Sequence, residues 1–246
     1  VTLYHLHLEG PVPWTAPAHA GRFRSVSLFT GANMRQAVQE GRADFVPIFL
    51  SDVPSLFSSG AVRLDAALVQ LSPPDRHGYC SLGTSIDAAR AAVDSAPMII
   101  AEINARMPRT HGDTSVPLES IEASSVTDRP LPEHRPEPET PVIARIGELV
   151  AGLVEDGSTL QMGIGAIPDA VLSRLHDRHD LGVHTEMFSD RMVDLVEAGA
   201  VNNRMKAVFP GRIVTSFVIG SQRVFDFVDD NSEVEFIGAD QSNDTG

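Results

Sequence analysis

Short apolar runs alternate with amphipathic segments along most of the chain. Runs of roughly four to eight apolar residues between turn residues indicate buried strands, and apolar residues spaced three and four apart indicate helices. The pattern predicts strands at 45–50, 66–71, 98–103, 159–162, 181–184, 212–219 and 233–237, and helices at 33–40, 85–95, 142–155, 168–175, 191–198 and 222–228. Such alternation predicts an α/β fold with largely parallel sheets, whose ligands bind at the carboxyl ends of the strands.

The segment 129–141, RPLPEHRPEPETP, interrupts this pattern with five prolines among charged residues. Proline lacks a backbone N–H and fixes φ, so the segment cannot sustain a helix or a central strand. We therefore predict an extended linker here, separating a domain at 1–128 from a second one at 142–246. Limited proteolysis is expected to cut the chain first in this segment.

The composition narrows the class of protein. The chain has 246 residues, 42% of them hydrophobic, and a net charge of −14, which argues against a nucleic-acid partner. No apolar run reaches the roughly 18 residues that a membrane span needs. Cys80 is the only cysteine, which favours a reducing, cytoplasmic location and excludes a cysteine-based metal cluster within one chain. No metal site is predicted from the scattered histidines.

The segment 161–171, QMGIGAIPDAV, is a candidate ligand-binding turn. Gln161 lies in a predicted strand, Gly163 and Gly165 follow its end and let a ligand approach the backbone, and Pro168 suits the first position of a helix. A helix start there offers unpaired N–H groups to phosphate or carboxylate. Taken alone, the glycines also fit a simple tight turn. A dinucleotide fingerprint, and hence a nicotinamide-dependent dehydrogenase, is poorly supported because the third glycine is missing.

The segment 184–190, HTEMFSD, runs directly from a predicted strand to a helix start. Glu186 is expected at the strand's end beside the glycine turn, where a desolvated carboxylate can act as a nucleophile. From the pattern alone, a carboxylate that stabilises the helix dipole is the favoured interpretation. Ser189 or Asp190 fits a plain N-cap for the helix that follows.

Several longer sequence segments together resemble a single protein family. Together with the two segments above, they are FTGANMR at 29–35, DFVPIFLSDVP at 44–54, VQLSPPDRHGYCS at 69–81, AEINARMPRT at 101–110 and RPLPE at 129–133. With these strings the chain resembles the acetyl-CoA hydrolase/transferase family, particularly 4-hydroxybutyrate CoA-transferases, over nearly its whole length.

The resemblance implies two related CoA-transferase-like (NagB/RpiA-like) α/β domains that move CoA from an acyl-CoA to a short-chain carboxylate. It implies that Glu186 forms a covalent glutamyl-CoA thioester and that Asn243 helps to bind the thioester oxygen. Gln161, Gly163 and Gly165 are implied to lie against CoA, which is a substrate, so no cofactor is expected. The implied partners are acyl-CoA and short-chain acids, with a homodimer or larger homo-oligomer as the assembly.

Other features leave the function open. Arg191 stands where family members usually have glycine, and Thr245 where they usually have proline. The family's amino-terminal strand and its downstream Gly-Gly-x-x-Asp-Phe loop are not found in 1–246, so both domains are expected to be truncated in a fragment. An acyl-CoA hydrolase on the same scaffold and a non-catalytic CoA-binding module stay as alternatives. Gly165→Val is expected to weaken acyl-CoA binding with little loss of stability, provided the backbone at Gly165 tolerates valine.

Overall fold

The computed structural model describes residues 1–136 and 138–243 and forms two compact units, Val1–Val53 and Pro54–Gly246. The α/β class with largely parallel sheets is confirmed, because eight of the nine strand pairings among the described residues are parallel. Segment 129–141 lies inside the second unit, and its described residues form no helix or strand before Pro141. The predicted domain boundary there stays a prediction. None of the described helices is long and apolar enough to cross a membrane.

The first unit is a three-stranded parallel sheet with one helix. Its elements are β1 (Thr2–His5), β2 (Arg24–Ser27), α1 (Ala32–Gln39) and β3 (Ala43–Phe45), with short 3-10 helices at Pro13–Thr15, Pro17–His19 and Leu50–Asp52. The sheet order is β1-β2-β3, and Met34 and Ala37 of α1 pack on Ala43. The strand predicted at 45–50 is wrong beyond Phe45, since Pro47 has no N–H for a ladder and a 3-10 turn follows.

The first half of the second unit is built on a parallel sheet of order β4-β6-β9 and an antiparallel pair, β5 with β8. Its elements are α2 (Val53–Ser58, which begins on the last residue of the first unit), β4 (Ala67–Leu71), β5 (Tyr79–Ser81), α3 (Ala89–Ser95), β6 (Ile99–Asn104), β7 (His111–Gly112), β8 (Ser115–Pro117), a 3-10 helix at Leu118–Ser120 and β9 (Ala123–Thr127). The helix predicted at 85–95 begins only at Ala89. Ser85 is instead held in a bridge to Phe217.

The second half begins with α4, which has Pro141 in its first turn and the Thr140 hydroxyl accepting the N–H of Ile143 at 3.3 Å. Its elements are α4 (Pro141–Ala151), β10 (Thr159–Leu160), α5 (Ala166–Leu172), β11 (Gly182–Val183), β12 (Met187–Phe188), α6 (Asp190–Glu197), β13 (Ile213–Thr215), β14 (Phe217–Val218), α7 (Gln222–Val228), β15 (Val234–Phe236) and α8 (Ala239–Ser242). The strand predicted at 212–219 is broken at Ser216 into β13 and β14.

A parallel arrangement of order β10-β11-β13-β15-β7 organises this half. β10 pairs with β11, a bridge between His184 and Val214 joins β11 to β13, and β15 pairs with both β13 and β7. β7 comes from the predicted domain 1–128, so a strand of that segment completes the sheet of the segment 142–246. One hydrophobic core, including Leu71, Val116, Phe188 and Phe236, runs through both halves of the second unit.

Candidate active site

The carboxyl ends of β10, β11 and β13 meet at one edge of the sheet, and Glu186 lies there. The Thr185 hydroxyl donates to the carbonyl of Met162 at 2.8 Å and accepts its N–H at 3.0 Å. These two bonds fasten the residue before Glu186 to the residue before Gly163. The predicted nucleophile and the predicted glycine turn therefore leave adjacent strands side by side.

The backbone of Glu186 is fixed by the next strand. Its carbonyl accepts the N–H groups of Ser216 and Phe217, each at 3.0 Å, and the hydroxyl of Thr215 at 3.0 Å. The side chain is half-buried, and its Oε2 accepts a hydrogen bond from Nδ2 of Asn243 at 2.9 Å. The structure thus brings together Glu186 and Asn243, two of the predicted site residues, across 57 positions of sequence.

Two serines orient the Asn243 amide. The hydroxyl of Ser216 donates to that of Ser242 at 2.6 Å, and Ser242 donates to Oδ1 of Asn243 at 2.9 Å. With its oxygen occupied in this way, the amide directs its nitrogen to Glu186. Sequence reasoning missed both serines, because serine is common and no local spacing connects a strand end at Ser216 with a short helix at Ser242.

The glycine turn lies at the edge without contacting Glu186 through a hydrogen bond. Gly163 and Gly165 are exposed, and Gln161 is exposed with no hydrogen bond to Glu186 or Asn243 in the described structure. α5 begins at Ala166, two residues before the predicted start at Pro168. Gly165 has φ +109° and ψ −179°, a conformation essentially restricted to glycine. The backbone at Gly165 therefore does not tolerate valine, and the expectation that Gly165→Val keeps its stability is wrong.

The N-cap position predicted after Glu186 is confirmed at Ser189, but the capping hydrogen bond is not. Ser189 occupies the N-cap position of α6, but its side chain makes no capping hydrogen bond. Asp190 is buried and instead accepts the N–H of Ser221 at 2.8 Å and its hydroxyl at 2.6 Å. Asp190 therefore anchors the turn after β14 rather than the start of its own helix.

Arg191 lies in a cleft of about 200 Å³ that includes residues of the glycine turn. The cleft is lined by residues 134–136, Ile164, Gly165, Asp169, residues 189–191, Ile219 and Gly220. Arg191 donates to Asp194 at 3.2 Å, while its Nε is buried without a hydrogen-bond partner in the described structure. Desolvation raises the pKa of Asp169, an effect opposed by the nearby Arg191 guanidinium.

Burial shifts the pKa values of other titratable groups in this unit. Desolvation, with a contribution from the ammonium of Lys206, lowers the pKa of His184. Desolvation raises the pKa of the Cys80 thiol, which is 1% exposed and fits the role of a small buried filler. The described residues contain no group of three or more histidine, cysteine, aspartate or glutamate side chains placed to hold a metal ion.

The sequence matches the family model of the acetyl-CoA hydrolase/transferase N-terminal domain over residues 15–142. The chain belongs to this family. The match ends at the residue that follows the proline-rich segment.

Two curated relatives match nearly the whole chain in sequence. The chain is 51% identical to a succinyl-CoA:acetate/propanoyl-CoA:succinate CoA transferase of Fasciola hepatica, over 96% of this chain and 49% of that protein. It is 44% identical to a 4-hydroxybutyrate coenzyme A transferase of Clostridium kluyveri, over 98% of this chain and 56% of that protein. The chain thus spans about half the length of the curated relatives it matches.

Two solved structures superpose on nearly the whole chain. RipA from Yersinia pestis gives a TM-score of 0.93 at 30% identity, covering 99% of this chain and 58% of that one. A 4-hydroxybutyrate CoA-transferase from Porphyromonas gingivalis gives a TM-score of 0.82 at 33% identity, covering 99% and 64%. The predicted α/β fold and the predicted family resemblance are thus confirmed by the family model, the curated relatives and the solved structures.

Proposed function

We propose that the protein is an acyl-CoA:carboxylate CoA-transferase in which Glu186 is the nucleophile. It moves CoA from an acyl-CoA to a short-chain carboxylate such as 4-hydroxybutyrate or acetate, through a glutamyl-CoA thioester. The observation that carries the proposal is the hydrogen bond from Asn243 to the Glu186 carboxylate at the carboxyl edge of a parallel sheet. That edge is where ligands bind in open α/β folds.

The reaction needs only acyl transfer steps. The Glu186 carboxylate attacks the acyl thioester carbonyl and expels CoA thiolate, leaving a mixed anhydride between the acyl group and Glu186. The thiolate then attacks the Glu186 carbonyl of the anhydride, releasing the first acid and forming glutamyl-CoA. The incoming carboxylate repeats both steps in reverse order, which regenerates the Glu186 carboxylate and releases the new acyl-CoA.

Asn243 fits the electrostatic requirement of these steps. Each tetrahedral intermediate carries an oxyanion, and preorganised N–H donors stabilise such charge most effectively. The two serines hold the Asn243 amide with its nitrogen toward the reacting carboxylate. We assign Asn243 as the donor to the Glu186 oxygen, and Gly163 and Gly165, with Gln161 before them, as the backbone against which CoA lies.

Trapping the thioester tests the proposal. The protein is incubated with acyl-CoA and reduced with borohydride, and the peptide that contains Glu186 is examined by mass spectrometry. We expect reduction of this side chain alone, and no reduction in Glu186→Gln, which keeps the hydrogen-bonding shape without a carboxylate. Transfer activity that survives in Glu186→Gln would refute the assignment.

A hydrolase on the same scaffold is the second candidate, since water reaching the glutamyl thioester releases free CoA. The hydrolase stays a candidate because the side chain of Glu186 is only half-buried, and hydrolysis is prevented only where a closed site excludes water. Steady-state hydrolysis of acyl-CoA compared with transfer to acetate separates the two activities. We favour transfer, in a cytoplasmic homodimer or larger homo-oligomer, with size measurement by light scattering as the check on assembly. A protein that binds CoA but forms no thioester would support the non-catalytic alternative.

A further inference from the structure

Lys206 is the only lysine among the 19 basic residues of the chain, the other 18 being arginine. Its side chain is 6% exposed, although lysine is among the residues least often buried. Its Nζ donates to the carbonyl of Val183 at 2.6 Å and to that of Arg212 at 2.7 Å. No carboxylate pairs with it in the described structure, so the fold keeps an uncompensated ammonium inside, where burial lowers its pKa to about 8.

The position of this ammonium follows from the pairing of β11. On one side the strand is bonded to β10, with the N–H of His184 donating to Leu160 at 3.0 Å. On the other side the backbone hydrogen bonds to β13 stop at the bridge between His184 and Val214, so the N–H of Val183 has no backbone acceptor in the described structure. Side chains from the connecting loop take that place: Asn203 Oδ1 accepts the N–H of Val183 at 2.8 Å, and Lys206 binds its carbonyl.

Lysine suits this place better than arginine. A Cβ on Gly182 would overlap Cγ of Lys206, so the aliphatic stem runs directly over the strand backbone. The two accepting carbonyls require a compact donor with N–H groups in several directions, which an ammonium provides and a planar guanidinium does not. The chain therefore has lysine, rather than arginine, at this buried position.

The two carbonyls belong to the strands that fix Glu186. Val183 lies three residues before Glu186, and Arg212 immediately precedes β13, whose Thr215 and the following Ser216 bind the Glu186 carbonyl. Just beyond the ammonium, the strands join through the N–H of Thr185 and the carbonyl of Val214 at 3.0 Å. The Phe209 ring, from the same loop as Lys206, contacts the His184 ring at 6.4 Å between centroids.

We propose that Lys206 is a positioning residue for Glu186: by tying the Val183 carbonyl to the Arg212 carbonyl it sets the spacing of β11 and β13. The spacing in turn fixes where the Glu186 carboxylate lies relative to Asn243. This inference rests on the proposed function only in naming Glu186 as the nucleophile.

The test compares Lys206→Met, which keeps the length of the aliphatic stem and removes the ammonium, with Arg204→Met. Arg204 is exposed in the same loop, so its variant loses the same charge without the buried bonds. Hydrogen exchange is measured at the amides of His184 and Thr185, and single-turnover thioester formation and acyl-CoA affinity are measured in parallel. If Lys206→Met does not fold, Lys206→Gln is used instead. The amide nitrogen of glutamine can donate to one of the two carbonyls but carries no charge.

We expect faster exchange at both amides and thioester formation slowed about 10- to 100-fold in Lys206→Met, because a 1 Å misplacement of a reacting group has an effect of this size. Acyl-CoA affinity should stay within about twofold, as expected when positioning rather than binding is lost. Arg204→Met should match the wild type, and Lys206→Arg should not restore the rate. Wild-type exchange in Lys206→Met, or a rate that falls only in proportion to affinity, overturns the inference. Hydrogen exchange can be measured in a protein without activity. If the wild-type protein forms no thioester, that result counts against the proposed function and not against the effect of Lys206 on strand spacing.

Discussion

Nδ2 of Asn243 lies 2.9 Å from Oε2 of Glu186, although 57 residues separate them in sequence. Glu186 follows β11 and Asn243 follows α8, and the chain between them forms β12 to β15 with α6 and α7. The contact therefore depends on the whole second half of this unit being folded. It also makes Asn243 the side chain whose replacement should most directly alter the reactivity of Glu186.

We expect Asn243→Ala to lower the rate of thioester formation about 100-fold, the usual effect of losing one oxyanion donor. Stability should change little, because the side chain is only half-buried. Gln241→Ala, at an exposed position of the preceding helix, is the control and should leave the rate unchanged. Equal rates in wild type and Asn243→Ala would remove Asn243 from the chemistry.

Substitutions in the glycine turn should separate backbone strain from ligand approach. Gly165→Ala should lower the free energy of unfolding by about 1 to 3 kcal/mol, because alanine is strained at φ +109°. Gly163 has no positive φ, and a Cβ there would meet nothing nearer than Cγ of Pro168 at 3.9 Å. Gly163→Ala should therefore keep wild-type stability while weakening acyl-CoA binding, measured by thermal melts and calorimetric titration. Unchanged affinity in Gly163→Ala would place CoA away from the turn.

Gly147 of α4 packs directly against Ala170 of α5. A Cβ at this position would lie 2.8 Å from the carbonyl oxygen and 2.9 Å from Cβ of Ala170. Gly147→Ala should therefore destabilise the protein by about 1 to 3 kcal/mol through overpacking. Gly152→Ala is the matched control, since Gly152 is exposed with φ −65° and ψ −14° and tolerates alanine. Urea unfolding of both variants checks the prediction, which fails if they are equally stable.

The buried ammonium should make stability depend on pH. Burial lowers the pKa of Lys206 from 10.5 to about 8 in the folded protein, so between these values the unfolded chain binds more protons and the free energy of unfolding rises with pH. His184, the titratable group facing it, has its pKa lowered below 6.5 and does not titrate in this window. Lys206→Met should show a smaller rise than wild type between pH 7.5 and 10 in denaturant unfolding. Identical pH dependence in the two proteins would show that Lys206 keeps its ordinary pKa.

The sequence by itself determined the local elements and the residues with chemical potential. Periodicity located α7 at 222–228 without error and α6 within one residue, because an amphipathic helix repeats its signal every three to four positions. It failed where neighbours elsewhere decide the conformation, as at Ser85, which bridges Phe217 instead of starting a helix. The strings around Gly163 and Glu186 carried the family resemblance without any tertiary information.

Only the tertiary structure decided which of these residues meet. Pairing of β7 with β15 links segments about 120 residues apart, and the alignment of Ser216, Ser242 and Asn243 on Glu186 joins two further segments. Periodicity reports only which face of a helix or strand is apolar, so it carries no information about such contacts. Lys206 is the clearest case. A lysine in a loop suggests exposure, and only the positions of the Val183 and Arg212 carbonyls, which accept from its ammonium, explain why it is buried.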